Sequence, residues 1–299
     1  MNRLHPSLIA RIRALNHGRR LAQVNIQPRL RKLSGIRVVL FDVYGTLVDS
    51  NAGSIQLDAE TVLKRRMTEI LRQAGFIPCS REAGVSVIDA WREKILIDYH
   101  FARASGIDYP ELDICRIWRQ VLRQSIQRGW IMGIVNAGTI KRVALEFEGA
   151  QNPVTLMPGV KAALALLRQR GIKMGIVSNA QFYTPLILRV LFGANLANLG
   201  FDRSLCIWSY RLGRAKPSPY LLNLALKRVR QEYGFMPREV LVIGNDWAND
   251  LAPARRFGCR TALLAESRRS FSHLRNAGRP DLLLTHWSQL ENIWTKNHS

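Results

Sequence analysis

The chain has 299 residues, is 47% hydrophobic and carries a formal net charge of +22, which together predict a soluble globular protein of one large or two modest domains. No apolar run approaches the ~20 residues that a membrane-spanning helix needs, so the sequence argues against a transmembrane protein. The four cysteines are widely separated and form no Cys-x-x-Cys pair, which argues against a zinc site or a disulfide framework and favours a cytoplasmic location.

The N-terminal segment is strongly basic. Residues 1–41 contain nine lysines and arginines and no acidic residue. We treat residues 1–35 as a basic N-terminal extension, which is a targeting segment, an arm that binds polyanions such as nucleic acid, or a helix packed on the rest of the protein. We favour the packed helix, because apolar residues recur there at helical spacing. They are Leu4, Leu8, Ile9, Ile12 and Leu15.

The first predicted strand ends at an aspartate. The apolar run Val38–Phe41 lacks helical spacing and predicts a strand buried on both faces, as in parallel sheets. Asp42 then lies at the carboxyl end of this strand, where open α/β sheets bind ligands. In the turn that follows, Gly45 allows the backbone to close round a small anion, and Thr46 offers a hydroxyl. Taken alone, such a turn also occurs without any catalytic role.

Residues 55–150 show the periodicity of helices rather than strands. This segment separates the first strand from the next strand-like run. We therefore predict an inserted helical domain at residues 55–150, and an α/β core domain formed by residues 36–54 and 151–299.

Two later strands are each followed by polar residues. The apolar run at residues 172–177 ends at Ser178 and Asn179. The strand predicted at residues 204–208 leads into a loop in which Lys216 precedes a helix that begins with a proline. Taken singly, the polar pair is also a common helix N-cap, and a lysine in a loop is usually solvated.

A fourth strand, at residues 240–244, is followed by two aspartates four residues apart, Asp246 and Asp250. Paired carboxylates at a strand end suit a divalent cation, although either aspartate is also a good helix cap. Residues 260–264 and 281–284 predict two further strands.

In this order, the four segments resemble the four motifs of the haloacid dehalogenase (HAD) superfamily of aspartate-nucleophile hydrolases. The resemblance implies an α/β fold, in which a Rossmann-like parallel sheet core carries an inserted α-helical cap domain that closes over the site. It implies catalytic roles for Asp42, Tyr44, Thr46 and Lys216, substrate-binding roles for Gly45, Ser178, Asn179 and Arg92, and ligands for Mg²⁺ at Asp42, Asp246 and Asp250.

Tyr44, two residues after the predicted nucleophile Asp42, bears on which of two reactions the protein catalyses. Phosphatases of this superfamily usually carry an aspartate there as a general acid and base, whereas this chain has Tyr44. The sequence Asp-x-Tyr-Gly-Thr resembles the 2-haloacid dehalogenases, whose halide leaving group needs no proton. The segment around Arg92 is similar to the one that receives the halide there. The pair Asp246 and Asp250 favours a phosphatase, because two carboxylates beside Asp42 would repel it without a cation.

We therefore predict a hydrolase with a covalent aspartyl intermediate, most simply a Mg²⁺-dependent phosphatase of small phosphomonoesters. One alternative is a metal-independent 2-haloacid dehalogenase. A second alternative is a non-catalytic protein of the same fold that binds polyanions through its basic arm. The first two hypotheses imply a small anionic substrate, and the sequence leaves the oligomeric state open.

Overall fold

The structure is a computed structural model that describes residues 6–16, 26–50, 57–265 and 278–293. It divides into two compact units. One, here called the helical unit, comprises Met1–His17 and Ser50–Val154. The other, here called the sheet unit, comprises Gly18–Asp49 and Thr155–Ser299.

The strands follow the apolar runs of the sequence. They are β1 Val38–Phe41, β2 Val48–Asp49, β3 Ile77–Pro78, β4 Ile131–Met132, β5 Thr155–Leu156, β6 Lys173–Ser178, β7 Phe201–Trp208, β8 Val240–Gly244, β9 Arg260–Leu264 and β10 Leu282–Leu284. The helices are α1 Pro6–Leu15, α2 Leu57–Gln73, α3 Ala83–Ala104, α4 Ile114–Gln127, α5 Ala137–Gln151, α6 Val160–Gln169, α7 Thr184–Phe192, α8 Tyr220–Tyr233 and α9 Ala252–Arg256.

The sheet unit is built on a six-stranded sheet in the order β10-β9-β8-β1-β6-β7, in which each pairing of neighbours is parallel. Strand β1 is central, and all four of its residues are buried. It pairs with β6 and β8, so that Phe41 lies opposite Ile176 and Ile243. These features confirm the predicted α/β fold with a Rossmann-like parallel core. They also bring the carboxyl ends of β6, β1 and β8 side by side, which is where such sheets bind ligands.

The helical unit contains α1 to α5 and the short antiparallel pair of β3 and β4. Its core includes three aromatic side chains in mutual contact. The ring centroids of Trp91 and Trp118 are 5.8 Å apart, and those of Trp118 and Phe147 are 5.0 Å apart. Helix α4 illustrates why the segment is helical. Its buried residues recur at helical spacing, and the Asp113 side chain caps its first turn by accepting from the backbone N–H of Cys115.

The N-terminal extension predicted at residues 1–35 is not one structural element. Helix α1 belongs to the helical unit, where Ile12 is fully buried and the Arg11 guanidinium forms an ion pair with Glu146. Farther along the chain, Arg29 forms a β-bridge with Leu283 in the sheet unit. The described parts of this segment therefore belong to different units, and the boundary at residue 35 stays a prediction.

Much of the predicted basic arm lies outside the described residues, including Arg19 and Arg20. Binding of nucleic acid through this arm stays a prediction. None of the helices in the described part of the chain is both long enough and apolar enough to cross a membrane.

Candidate active site

The carboxylate of Asp42 lies at the end of the central strand. Its backbone N–H donates to the Ile243 carbonyl of β8 at 3.0 Å, which extends the strand pairing by one residue. The side chain is buried, and its Oδ1 accepts hydrogen bonds from Ser178 Oγ at 3.0 Å and from Lys216 Nζ at 2.6 Å. Three predicted site residues from three separate segments are therefore brought together.

The ammonium of Lys216 is buried and has three acceptors. It donates to Asp42 Oδ1 and Asp250 Oδ1, each at 2.6 Å, and to the Val177 carbonyl at 3.0 Å. Burial by itself lowers the pKa of this amine, but the carboxylates of Asp250 and Asp42 raise the pKa above the ordinary range of a lysine. Lys216 therefore supplies a fixed positive charge beside the predicted nucleophile.

The Asn179 side chain holds the backbone of Lys216. Its side-chain oxygen accepts from the Lys216 N–H at 2.7 Å, and its side-chain nitrogen donates to the Lys216 carbonyl at 3.2 Å. These two bonds use one N–H and one lone pair of the amide, and the substrate-binding role of Asn179 stays a prediction.

Gly45 has a steric role in the turn after Asp42. Its N–H donates to the Val48 carbonyl at 2.7 Å, so this amide is engaged within the turn and does not point to an anion. Its φ of +81° is a conformation that favours glycine, and a Cβ there would lie 2.1 Å from Asn245 Nδ2. The absence of a Cβ at Gly45 allows the Asn245 side chain to lie against the turn, and the predicted substrate-binding role of Gly45 stays a prediction.

The hydroxyl of Thr46 is buried and has no hydrogen-bond partner among the residues that the structure describes. An unpaired buried hydroxyl costs about 1–3 kcal/mol of stability. A bound anion close to this turn would satisfy it, and the catalytic role of Thr46 stays a prediction.

Tyr44 is half-buried, and its hydroxyl lies 2.8 Å from Thr184 Oγ1 at the start of α7. The Thr184 hydroxyl oxygen also accepts from the Gln181 N–H at 3.2 Å. The phenol at the position of the missing aspartate is therefore held by a hydroxyl of the sheet unit. The sequence pattern did not reveal Thr184, because no local signal links it to Tyr44.

Asp246 caps the π-helical turn Trp247–Leu251. Its Oδ1 accepts from the Asn249 N–H at 3.0 Å, and its Oδ2 accepts from the Asn249 side-chain nitrogen at 2.7 Å. Such capping is the ordinary alternative for an aspartate that precedes a helical turn.

Asp250 serves mainly to anchor Lys216. Its Oδ1 accepts from Lys216, and its Oδ2 accepts from the Asp246 N–H at 3.2 Å. Burial raises the pKa of Asp250 above the ordinary range of an aspartate, and Asp42 acts in the same direction while Lys216 opposes it.

The structure does not assemble the three predicted magnesium ligands, Asp42, Asp246 and Asp250. Within the described ranges, no group of three His, Cys, Asp or Glu side chains is placed to hold a metal ion. The physical reason is that Asp250 is used by Lys216, and Asp246 accepts two hydrogen bonds from Asn249. The predicted three-carboxylate magnesium site therefore stays a prediction, and Mg²⁺ often needs only one or two carboxylates together with water and substrate oxygens.

Arg92 is not among the groups that the sheet unit brings together around Asp42. It lies in α3 of the helical unit, where its side chain is half-buried. Its predicted contact with the substrate stays a prediction.

Comparison with known proteins agrees with the fold. A family model of haloacid dehalogenase-like hydrolases matches residues 36–258. The chain belongs to this family. It is therefore a hydrolase, and the predicted resemblance to the HAD superfamily is confirmed.

Relatives of this HAD-like hydrolase include two enzymes named phosphoglycolate phosphatase. The one from Yersinia pseudotuberculosis is 28% identical over 87% of this chain and 93% of its own length. The one from Salmonella typhimurium is 27% identical over 76% of this chain and 81% of its own length. Among solved structures, a 2-haloacid dehalogenase from Pseudomonas syringae pv. Tomato DC3000 superposes with a TM-score of 0.52 at 21% identity, covering 86% of this chain and 97% of that one. This last likeness concerns the fold alone.

Proposed function

We propose that this HAD-like hydrolase is a phosphatase of small phosphomonoesters with Asp42 as its covalent nucleophile. The observation that carries the proposal is the contact of one Asp42 oxygen with both the Lys216 ammonium and the Ser178 hydroxyl. The names of the curated relatives support the same chemistry and make phosphoglycolate the first substrate to test.

The proposed reaction has two steps. An Asp42 oxygen attacks phosphorus, the P–O bond to the alcohol breaks, and an aspartyl phosphate forms. A water molecule then attacks phosphorus, which releases inorganic phosphate and restores the carboxylate. Lys216 and the hydroxyls of Ser178 and Thr46 are the groups that would stabilise the anionic oxygens.

The leaving alcohol needs a proton, and no carboxyl group stands at position 44 to give it. Tyr44 is a weak replacement, because a phenol with an ordinary pKa of about 10 is a poor acid at neutral pH. We therefore expect good leaving groups to react much faster than alkyl esters, with solvent supplying the proton.

A metal-independent 2-haloacid dehalogenase is the second candidate. Two observations favour it, namely the phenol of Tyr44 at the general-acid position and the engagement of Asp246 with Asn249. In that reaction, Asp42 would displace a halide from carbon to form an ester, which water would hydrolyse at the acyl carbon. A halide leaves without a proton.

One set of assays separates the candidates. Purified protein is incubated with phosphoglycolate, para-nitrophenyl phosphate or 2-chloropropionate, each with added Mg²⁺ and with EDTA, beside the Asp42→Asn variant. The proposal expects release of phosphate that the variant abolishes, and loss of that release in EDTA would support the predicted need for magnesium. Halide release that persists in EDTA, with no release of phosphate, would establish the second candidate instead.

A further inference from the structure

Trp287 contacts the segment that carries the nucleophile, although it lies 241 residues from Thr46 in the chain. Its side chain is fully buried, and its indole Nε1–H donates to the Thr46 carbonyl at 3.1 Å. The same ring packs against Phe41, with their centroids 5.9 Å apart. One side chain therefore touches both the residue before Asp42 and the far side of the turn that follows it.

Most of the hydrogen bonds within the turn converge on one carbonyl group. The N–H groups of Thr46, Leu47 and Val48 all donate to a single carbonyl, that of Val43, at 3.2, 2.9 and 3.0 Å. The bond from Trp287 is the contact that fixes the Thr46 carbonyl from outside this turn. Thr46 is also the residue whose buried hydroxyl has no partner among the described residues.

Trp287 is itself held rigidly. It begins the short 3₁₀ helix Trp287–Ile293, and the Gln289 side chain accepts from the Thr285 N–H at 2.8 Å just before it. Trp287 also lies close to Gly159, since a Cβ on that glycine would be 3.3 Å from the Cβ of Trp287. The indole thus gives the turn a fixed point of attachment in the sheet unit.

We propose that Trp287 is a positioning residue for the turn from Asp42 to Thr46, a proposal that rests on the function proposed above. Its N–H fixes the Thr46 peptide so that the Asp42 carboxylate and the Thr46 hydroxyl keep the geometry needed for in-line attack. A displacement of about 1 Å in such a group can lower a rate roughly a hundredfold. Lys216 and Ser178 lie outside this turn, and Thr46 is one of the three groups proposed to hold the anionic oxygens, so we expect a larger effect on kcat than on KM.

The test compares Trp287→Phe with Trp118→Phe. Both tryptophans are fully buried, but Trp118 Nε1 has no partner in the part of the chain that the structure describes, so its replacement loses ring volume and no hydrogen bond. We expect Trp287→Phe to lower kcat roughly tenfold to a hundredfold with KM little changed, and Trp118→Phe to leave both close to the wild-type values.

A second measurement does not depend on catalysis. Amide hydrogen exchange, followed by mass spectrometry, should become faster in the peptide covering residues 42–48 in Trp287→Phe and stay unchanged there in Trp118→Phe. If wild-type protein releases no phosphate, the proposed function fails, whereas this exchange result still tests the positioning role.

Replacement of Trp287 by 3-benzothienylalanine, which keeps the ring shape but has no N–H, serves if the phenylalanine variant does not fold. Slower turnover and faster exchange in this variant would support the proposal. Wild-type kcat together with unchanged exchange at residues 42–48, in Trp287→Phe or in the 3-benzothienylalanine variant, would overturn the proposal.

Discussion

The Nζ of Lys216 lies 2.6 Å from an oxygen of Asp42 and 2.6 Å from an oxygen of Asp250. Asp42 directly follows β1, Asp250 lies in the helical turn after the neighbouring strand β8, and all three side chains are buried. One ammonium therefore balances two carboxylates in a place with little water, where the loss of one partner leaves a charge uncompensated.

Replacing Lys216 by methionine should harm both stability and activity. The change keeps most of the side-chain volume but leaves Asp42 and Asp250 without their cation, so we expect the free energy of unfolding to fall by about 3–5 kcal/mol. We expect kcat to fall roughly 10²- to 10³-fold, as when one stabilising donor is removed from an active site. Urea denaturation and phosphate release measure the two effects.

The double variant Lys216→Met with Asp250→Asn is the matched control. It removes one of the two carboxylates that the single variant leaves without a cation. Part of the lost stability should therefore return while activity stays low. Wild-type stability in the single variant would show that the three side chains do not form a mutually dependent cluster.

Tyr44→Phe should alter stability more than turnover. It removes the hydrogen bond to Thr184, which is worth about 0.5–1.5 kcal/mol, and Thr184→Val should cost more, because it also removes the acceptor of the Gln181 N–H. We expect kcat on phosphomonoesters to change by less than about threefold, because a phenol contributes little as an acid at neutral pH. Tyr44→Asp should speed the hydrolysis of alkyl esters, which need a proton on the leaving group. A loss of kcat of roughly 10² or more in Tyr44→Phe would instead mean that the phenol transfers a proton.

Arg11 should stabilise the helical unit. Its guanidinium pairs with Glu146, whose side chain is only 4% exposed, and Arg11→Ala leaves that carboxylate without its cation. A hydrogen bond to a charged group contributes about 1.5–3 kcal/mol, so we expect the free energy of unfolding to fall by this amount. Arg13 of the same helix is exposed, and Arg13→Ala is the control that should change little. Equal effects from the two variants would contradict the anchoring of α1 through Arg11.

The cysteines should differ sharply in their reaction with a thiol reagent. Cys79 is exposed, whereas Cys206 and Cys259 are buried, and burial raises the pKa of each of these two thiols to about 12. The thiolate is the reactive form, so at about pH 8 Cys79 should be labelled first and the buried pair only after unfolding. Labelling of either buried thiol at the rate of Cys79 in native protein would contradict its placement.

The raised pKa values of these two thiols also predict how the stability of the protein changes with pH. The folded state favours the neutral thiols of Cys206 and Cys259, so their contribution is complete below the ordinary thiol pKa and is lost as the pH rises towards about 12. The loss of stability caused by these two thiols should therefore begin above about pH 9. Circular dichroism during alkaline unfolding measures it.

Asp42, Ser178 and Lys216 could be predicted from the sequence because each follows a strand, and the carboxyl ends of parallel strands meet at one edge of a sheet. Local apolar runs were enough to find those strands. The superfamily resemblance then fixed the expected roles.

Other parts of the site could not be predicted, because they depend on which way a side chain points. An aspartate that caps a turn and one that binds a metal look alike in sequence, and Asp246 is held by Asn249. No local sequence signal indicated that the Asn179 amide holds the Lys216 backbone. Trp287 carried no local signal at all, because its partner Thr46 lies near the other end of the chain.

Asp42 is the group on which the proposed chemistry depends, and a trapped intermediate tests it most directly. Protein mixed with excess para-nitrophenyl phosphate is quenched in acid within the first turnover, and the peptide containing residue 42 is examined by tandem mass spectrometry. We predict the added mass of one phosphoryl group on Asp42, absent from Asp42→Asn, which should also release no phosphate. Phosphate release at the wild-type rate by Asp42→Asn, with residue 42 unmodified in the wild-type protein, would contradict a covalent role for this carboxylate.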